Sequence, residues 1–508
     1  MTWRQTEPGI FVKDFDGAEK VYYKIFTSFK PLNREHWGIY AICTVNFGPS
    51  LNTDRVAILR SAWKALRITF PGLSLVPINV AKLYKVSDAQ SVEEWAGQTF
   101  FVDAEKTPEE VIASAKPRDL PSLYYLPASS SVVFLSSHWR IDALGTCMLL
   151  DRFFSILEQP SLVEATPAPD ERGKISPSLE DAAGSPRTST EEMEKFAGEY
   201  IANFHKKAVQ TSGFPFKGGP NTLPSNPAQE AVMFSPSSTK SLLAACKDRR
   251  ISVTAAIHAA LAETVFVLGM SESQAADFTT VMAVNLRPYL QPPYNSRDHA
   301  CQTYVGSITP QVLRSKNFLE RTASLMESYQ GWYDGKLIKA LRPIFKYHAD
   351  ALFAQRAPPP NPPSGVTLNS LGVIEKYFRS DYENGLKVER FHFGVTMMTR
   401  QTMLYAWTFR GQLTLSLNFN EAYYDGDVAK KILLHIKRVL EKELSVELDP
   451  VVEILPAKQM EHELSTKHRV VYLMIPRKVD DADNGFEGAI LPGSAKPAVA
   501  GGEDANPL

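Results

Sequence analysis

Ser131-Val132-Val133-Phe134-Leu135-Ser136-Ser137-His138-Trp139-Arg140-Ile141-Asp142-Ala143-Leu144-Gly145 is the stretch that decides the reading of this chain. Ser131 to Leu135 is apolar and β-branched over the length of a short buried strand, Ser136 to Asp142 reads as a turn, and Ala143 to Leu157 is an apolar helix. A strand, turn and helix in that order belong to an α/β fold. Of the ten histidines, His138 alone has an aspartate four residues on, Asp142, and the pair sits on the turn. A neutral imidazole held in one tautomer takes a proton from a hydroxyl near pH 7. On spacing alone a second reading stands beside that one, a histidine at a helix start with Asp142 as a local turn former.

Working outward, Trp37 to Phe47 is aromatic and β-branched like a strand, and the stripe Val56, Leu59, Trp63, Leu66 gives a helix that stops before Pro71. From Gln159 to Thr190 the prolines Pro160, Pro167, Pro169, Pro177 and Pro186 interrupt regular structure, which predicts an exposed crossover over about 159–190. Strand and helix patterns resume at Glu230 to Phe234, Ser238 to Asp248, Thr254 to Val267 and Thr279 to Val284. A helix over Phe318 to Trp332 and a proline-rich loop at Ala357 to Pro363 follow. Three β-runs, Phe391 to Thr399, Met403 to Arg410 and Gln412 to Phe419, then lead to a helix at Asp427 to Leu444, with Arg410-Gly411 as a hairpin turn. The expected organisation is α/β in two lobes, residues 1–228 with the crossover and 229–475, and a tail, 476–508, too poor in apolar residues to order itself. Ligands commonly bind in the cleft between two such lobes.

At 508 residues, 44% hydrophobic and 22% charged, the chain can bury a large interior. Its 55 basic and 56 acidic residues leave a net charge of -1, which gives no field for drawing in nucleic acid. Cys43, Cys147, Cys246 and Cys301 lie far apart, so neither a disulfide framework nor a zinc site is expected. The N-terminus lacks the apolar core of a signal peptide, and the longest apolar stretch, Val253 to Met270, carries His258 and Glu263, as a buried helix does and a membrane span does not. A cytoplasmic protein without a membrane partner is expected.

The segment Ser136 to Gly145 resembles the His-x-x-x-Asp-Gly signature of the chloramphenicol-acetyltransferase-like superfamily, which includes peptide-synthetase condensation domains, plant BAHD acyltransferases and fungal trichothecene acetyltransferases. The resemblance spans roughly residues 30 to 450 and is closest to the trichothecene 15-O-acetyltransferase-like branch. It is carried also by Ala62-Trp63-Lys64-Ala65-Leu66-Arg67, Tyr124-Tyr125-Leu126-Pro127, Ser176-Pro177-Ser178-Leu179-Glu180, Asn285-Leu286-Arg287-Pro288 and Asn369-Ser370-Leu371-Gly372. Ala143 departs from the signature, which has glycine there and with it a close backbone approach behind the histidine.

The resemblance implies two chloramphenicol-acetyltransferase-like lobes with mixed sheets and the active site in a tunnel between them. It implies an O-acyltransferase with His138 as general base, in which Asp142 turns away to an arginine, matched here by Arg287, and stiffens the motif. Asn369, Ser370 and Thr396 are the candidate donors to the oxyanion. No cofactor is bound permanently; acyl-CoA, acetyl-CoA above all, is the co-substrate, and a small alcohol such as a terpenoid, alkaloid or polyketide is the acceptor of a monomeric enzyme. Two other readings remain open: an N-acyltransferase or condensation-like enzyme fed by a carrier protein, and an inactive scaffold of the same fold.

Overall fold

A computed structural model describes residues 2–451 apart from 52–53, 160–165, 209–210, 273–275, 334 and 355–363. Two sheets hold its main cores. In chain order their strands are β1 (Ile39–Asn46), β2 (Phe100–Val102), β3 (Ser122–Leu126), β4 (Ser131–Ser136), β5 (Pro227–Met233), β6 (Val366–Val373), β7 (Lys387–Val395), β8 (Thr402–Phe409) and β9 (Gln412–Asn420). The first sheet runs β7-β1-β4-β3-β2 and the second β6-β8-β9-β5. Both are mixed: β2 lies parallel to β3 and β6 parallel to β8, while the other neighbours are antiparallel.

Side-chain alternation explains why β1 sits inside its sheet. Ile39, Ala41, Cys43 and Val45 bury one face against helices α2 (Arg55–Thr69) and α3 (Ala143–Glu158), through Leu59, Trp63, Leu149 and Phe153. Tyr40 and Ile42 bury the other face with Val133 and Leu126. The second sheet packs under α4 (Val253–Leu268) and α5 (Gly426–Leu444), where Ile257, Leu261, Ile432 and Ile436 meet Leu404, Leu415 and Leu417. The hairpin between β8 and β9 turns on Arg410 and Gly411, at φ 50° and 72°, a type I′ pattern for which glycine removes the Cβ penalty.

Several expectations are corrected. The strand expected at Thr279 to Val284 is split into Phe278–Thr279 and Met282–Asn285. β7 begins at Lys387 and ends at Val395, short of Thr399, and it crosses back to pair with β1, so the halves of the sequence do not coincide with the two sheets. The crossover is not exposed throughout. Ser176, Ser178, Leu179, Glu180 and Ala182 are buried, because Glu180 Oε1 accepts from Ala18 N at 2.7 Å and the Ser178 hydroxyl donates to Asp16 at 2.8 Å. Upstream, the fully buried Glu171 pairs with Arg67 at 2.6 Å. Polar composition reads as exposure only when its groups lack partners, and these have them.

The second sheet starts at Pro227. The loop at 357–363, residues 453–475 and the tail 476–508 lie outside the described residues. No single helix among the described residues is long and apolar enough to cross a membrane, and α4, read above as a core helix, is buried along most of its length.

Candidate active site

The His138 loop is closed at one end by Asp142, which stands at the N-cap of α3. Its Oδ1 accepts from Gly145 N at 2.8 Å, so it satisfies one of the free N–H groups at the helix start. The same carboxylate receives Arg287 Nη1 at 2.9 and 2.8 Å and the Tyr304 N–H at 2.8 Å. Asp142 and Arg287 are 1% and 3% exposed, and a buried charge of this kind persists only when paired and hydrogen-bonded. The carboxylate therefore faces Arg287 and Tyr304, and its hydrogen bonds go to them and to Gly145, none to His138. A close backbone approach lies at Gly145: a Cβ there would stand 2.3 Å from the Ala300 carbonyl oxygen and 3.0 Å from Arg287 Nη2.

His138 is half-buried. The Tyr22 ring stacks on its imidazole with centroids 4.4 Å apart and planes 15° from parallel, and Trp37 flanks it at 6.3 Å. Its main-chain carbonyl accepts a hydrogen bond from the Thr303 hydroxyl. Nδ1 is shielded from solvent and makes no hydrogen bond of regular geometry. Burial pulls the imidazole pKa below its ordinary value, while the residue's own carbonyl and the charge of Asp142 pull the other way. The ring is thus neutral at pH 7, the state a proton acceptor requires.

Tyr22 reaches His138 from α1 (Gly17–Thr27), whose start is fixed by a capping box. Glu19 Oε2 accepts from Asp16 N at 3.0 Å, and the Asp16 side chain caps the helix in return. Glu19 Oε1 accepts from Lys82 Nζ and, at 2.9 Å, from Gln302 Nε2. Gln302 precedes Thr303, so one hydrogen-bonded chain ties the helix under Tyr22 to the segment that holds the His138 carbonyl. Sequence reasoning missed Tyr22, Thr303 and Tyr304; the spacing Asp16-x-x-Glu19 was the available signal for the helix.

Thr396 takes another place than the one expected. Its hydroxyl donates to the Glu35 carbonyl at 2.6 Å and accepts from Gly38 N at 3.0 Å. Two main-chain bonds, Trp37 N to Thr396 O and Thr396 N to Gly38 O, both 2.8 Å, complete the clasp. With its one proton committed, Thr396 has none for an oxyanion. The clasp holds Trp37 at φ 59°, a costly conformation for a bulky residue that persists where surrounding structure enforces it. Ser370 Oγ lies 2.9 Å from Thr254 Oγ1. Asn369 Oδ1 accepts from Ala283 N at 3.1 Å, and its amide nitrogen serves the weakly accepting Met403 sulfur at 3.2 Å and the Tyr405 hydroxyl. The structure brings Asp142 and Arg287 together; Asn369 and Ser370 sit apart from that pair, on β6.

Known proteins resemble this chain over most of its length. The chain is 42% identical over 447 residues to azaphilone biosynthesis cluster protein M of Aspergillus terreus, an alignment covering 87% of this chain and 98% of that protein. It is 30% identical to acetyltransferase pigO of Monascus ruber, over 89% of this chain and all of that one. This chain belongs to the chloramphenicol-acetyltransferase-like acyltransferases. Residues 223–418 of the acyltransferase match the family described as the phthiocerol/phthiodiolone dimycocerosyl transferase C-terminus. The solved trichothecene 15-O-acetyltransferase of Fusarium sporotrichioides shares its fold, with a TM-score of 0.73 at 17% identity over 86% of the acyltransferase and 97% of that chain. The family match begins just before β5 and ends in β9, so it takes in all but the last two residues of the second sheet together with β7.

Proposed function

We propose that this acyltransferase moves an acetyl group from acetyl-CoA to a hydroxyl of a small secondary metabolite, a terpenoid, alkaloid or polyketide, with His138 as general base. The observation that carries the reading is the neutral His138 imidazole, stacked under Tyr22, beside an Asp142 that is committed to Arg287. The residue's own carbonyl acts on the imidazole as an acceptor and lies within reach of Nδ1 alone, which favours the proton there and leaves Nε2 as the basic nitrogen. Nε2 takes the acceptor's hydroxyl proton as its oxygen attacks the thioester carbonyl. The tetrahedral intermediate collapses, and the imidazolium returns the proton to the departing thiolate. A burial-depressed pKa makes that imidazolium a stronger acid and speeds the return.

The developing oxyanion needs a donor, and the Asn369 amide, whose partners include the weakly accepting Met403 sulfur, suits the role better than Thr396, whose one proton is committed. Arg287 and Asp142 touch no reacting atom in this scheme; they keep the loop rigid. The acetyl donor is supported by the name of the 30% identical relative, and the secondary-metabolite acceptor by the name of the 42% identical one. Four free, buried cysteines suit a reducing compartment such as the cytoplasm. Thiol release from acetyl-CoA by the purified chain, across hydroxylated terpenoid, alkaloid and polyketide acceptors with products read by mass spectrometry, tests the proposal. Acceptor-dependent release with an O-acetylated product supports it. Transfer only from an acyl-carrier protein, or only to amines, refutes it.

A further inference from the structure

Beside the His138 loop lies a cavity of about 40 Å³ whose lining includes Glu35, Gly38, Ser122, Ser136, Ser137 and Thr396. Three of its polar atoms are shielded from solvent and have no hydrogen-bond partner: Glu35 Oε1, Ser122 Oγ and Ser136 Oγ. Ser122 and Ser136 are 1% and 7% exposed. They come from neighbouring strands, since Ser122 on β3 pairs in register with Leu135 on β4. Buried polar groups are nearly always satisfied, so three orphans around one space mark a place where something polar belongs. A water needs roughly 10–15 Å³ by this measure, and the space therefore admits about three waters or one small substituent of a larger molecule.

Burial pushes the Glu35 carboxyl up to about 8, against the opposing influence of a hydrogen bond from Ser137 and of the charges on Arg140 and Lys30. A carboxyl that keeps its proton donates a hydrogen bond as well as accepting one. The two serine hydroxyls do the same. Lys116 and Arg118 also line the cavity, but both are exposed and Arg118 donates to the Gln98 carbonyl at 2.7 Å, so the buried groups are the carboxyl and the two hydroxyls, a set that matches an uncharged oxygen, a ketone or a hydroxyl. Ser136 and Ser137 lead directly into His138, and the Thr396 clasp that shapes the wall also fixes Trp37 against the imidazole.

We propose that this cavity is a specificity subsite that receives one uncharged oxygen substituent, keto or hydroxyl, carried by the acceptor alongside its reacting hydroxyl. It rests on the acyl-transfer reading above for the identity of the ligand as acceptor. Recognition follows from displaced hydration: an acceptor that seats apolar bulk in the cavity removes water from these three groups without replacing its hydrogen bonds, and is rejected more strongly than a change in apolar bulk elsewhere would be.

The test uses the full chain and three matched probes, cyclohexanol, 4-hydroxycyclohexanone and 4-hydroxycyclohexanecarboxylate, with binding read by ligand-observed NMR in the absence of acyl donor. The keto alcohol is expected to bind about tenfold tighter than cyclohexanol to the wild type and to Glu35→Gln, which keeps a donor and an acceptor, and about equally to Glu35→Leu. His138→Ala is expected to keep the preference while losing transfer from acetyl-CoA. Equal binding of the two alcohols, a preference that survives Glu35→Leu, tightest binding of the carboxylate, or binding of none of the three overturns the proposal. A wild type that shows the preference but transfers nothing to any acceptor leaves the subsite standing and removes the acyl-transfer reading, so the two failures are distinguishable.

Discussion

Replacing Arg287 by methionine removes the charge that Asp142 faces while keeping most of the side-chain volume. Asp142 would remain 1% exposed with only the Gly145 and Tyr304 N–H groups, each at 2.8 Å, to solvate it. Breaking a buried pair costs about 3–5 kcal/mol, and the two surviving donors put Arg287→Met at about 3 kcal/mol. Asp142→Asn keeps an oxygen for Gly145 N and Arg287 Nη1 but leaves the buried guanidinium charge uncompensated, with only neutral acceptors such as Gln302 O at 3.3 Å, for a similar loss of about 3 kcal/mol. In the double variant no charge is stranded, and only polar mismatch and part of the cap are lost, about 1–2 kcal/mol. The singles together sum to about 6 kcal/mol, so the account requires a coupling of about 4 kcal/mol. Urea unfolding of the four proteins, followed by tryptophan fluorescence and circular dichroism, measures it. If the double variant loses the sum of the singles to within about 0.5 kcal/mol, the pair is not what stiffens the loop and the reasoning fails.

Other consequences can be checked on the same protein. Since burial holds the His138 pKa below its ordinary value, the ring stays neutral and active as pH falls past that value; the acid limb of kcat/KM is expected below about 6.5 and should be absent from a pH profile of His138→Ala. Tyr22→Leu removes the ring stacked on the imidazole and admits water, so kcat should fall and the acid limb move upward towards the ordinary histidine value; an unchanged limb would show that Tyr22 does not shield the base. Gly145→Ala drives a methyl group to within 2.3 Å of the Ala300 carbonyl, and a loss of about 1–3 kcal/mol in urea unfolding is expected, whereas Ala143→Gly should cost under about 1 kcal/mol by helix propensity.

The unit around His138 was legible because hydrophobic periodicity is a local property. The strand expected at Ser131 to Leu135 and the helix expected at Ala143 to Leu157 each form with one residue more. The hairpin at Arg410-Gly411 was legible for a similar reason, since turn chemistry is local too. What could not be read is pairing between distant segments. Nothing in Lys387 to Val395 says that it will join β1 and not a strand of its own half, because both sheets offer apolar, β-branched neighbours. The buried stretch Ser176 to Ser185 looked like surface because its partners, Asp16 and Ala18, lie about 160 residues upstream. Thr396 illustrates the same limit within the site: its residue type suits an oxyanion donor, and only the three-dimensional clasp with Glu35 and Gly38 shows its proton already spent. Arg287 was identified through family likeness, and its pairing with Asp142 across 145 residues is visible only in the fold.

The most direct test of the central claim compares kcat/KM for acetyl-CoA-dependent acylation by wild type and His138→Ala, with folding verified by circular dichroism. General-base catalysis by a positioned imidazole predicts a loss of about 10²–10⁴-fold in a variant that remains folded. A folded His138→Ala that retains activity within about tenfold would contradict the account and move the base to another residue.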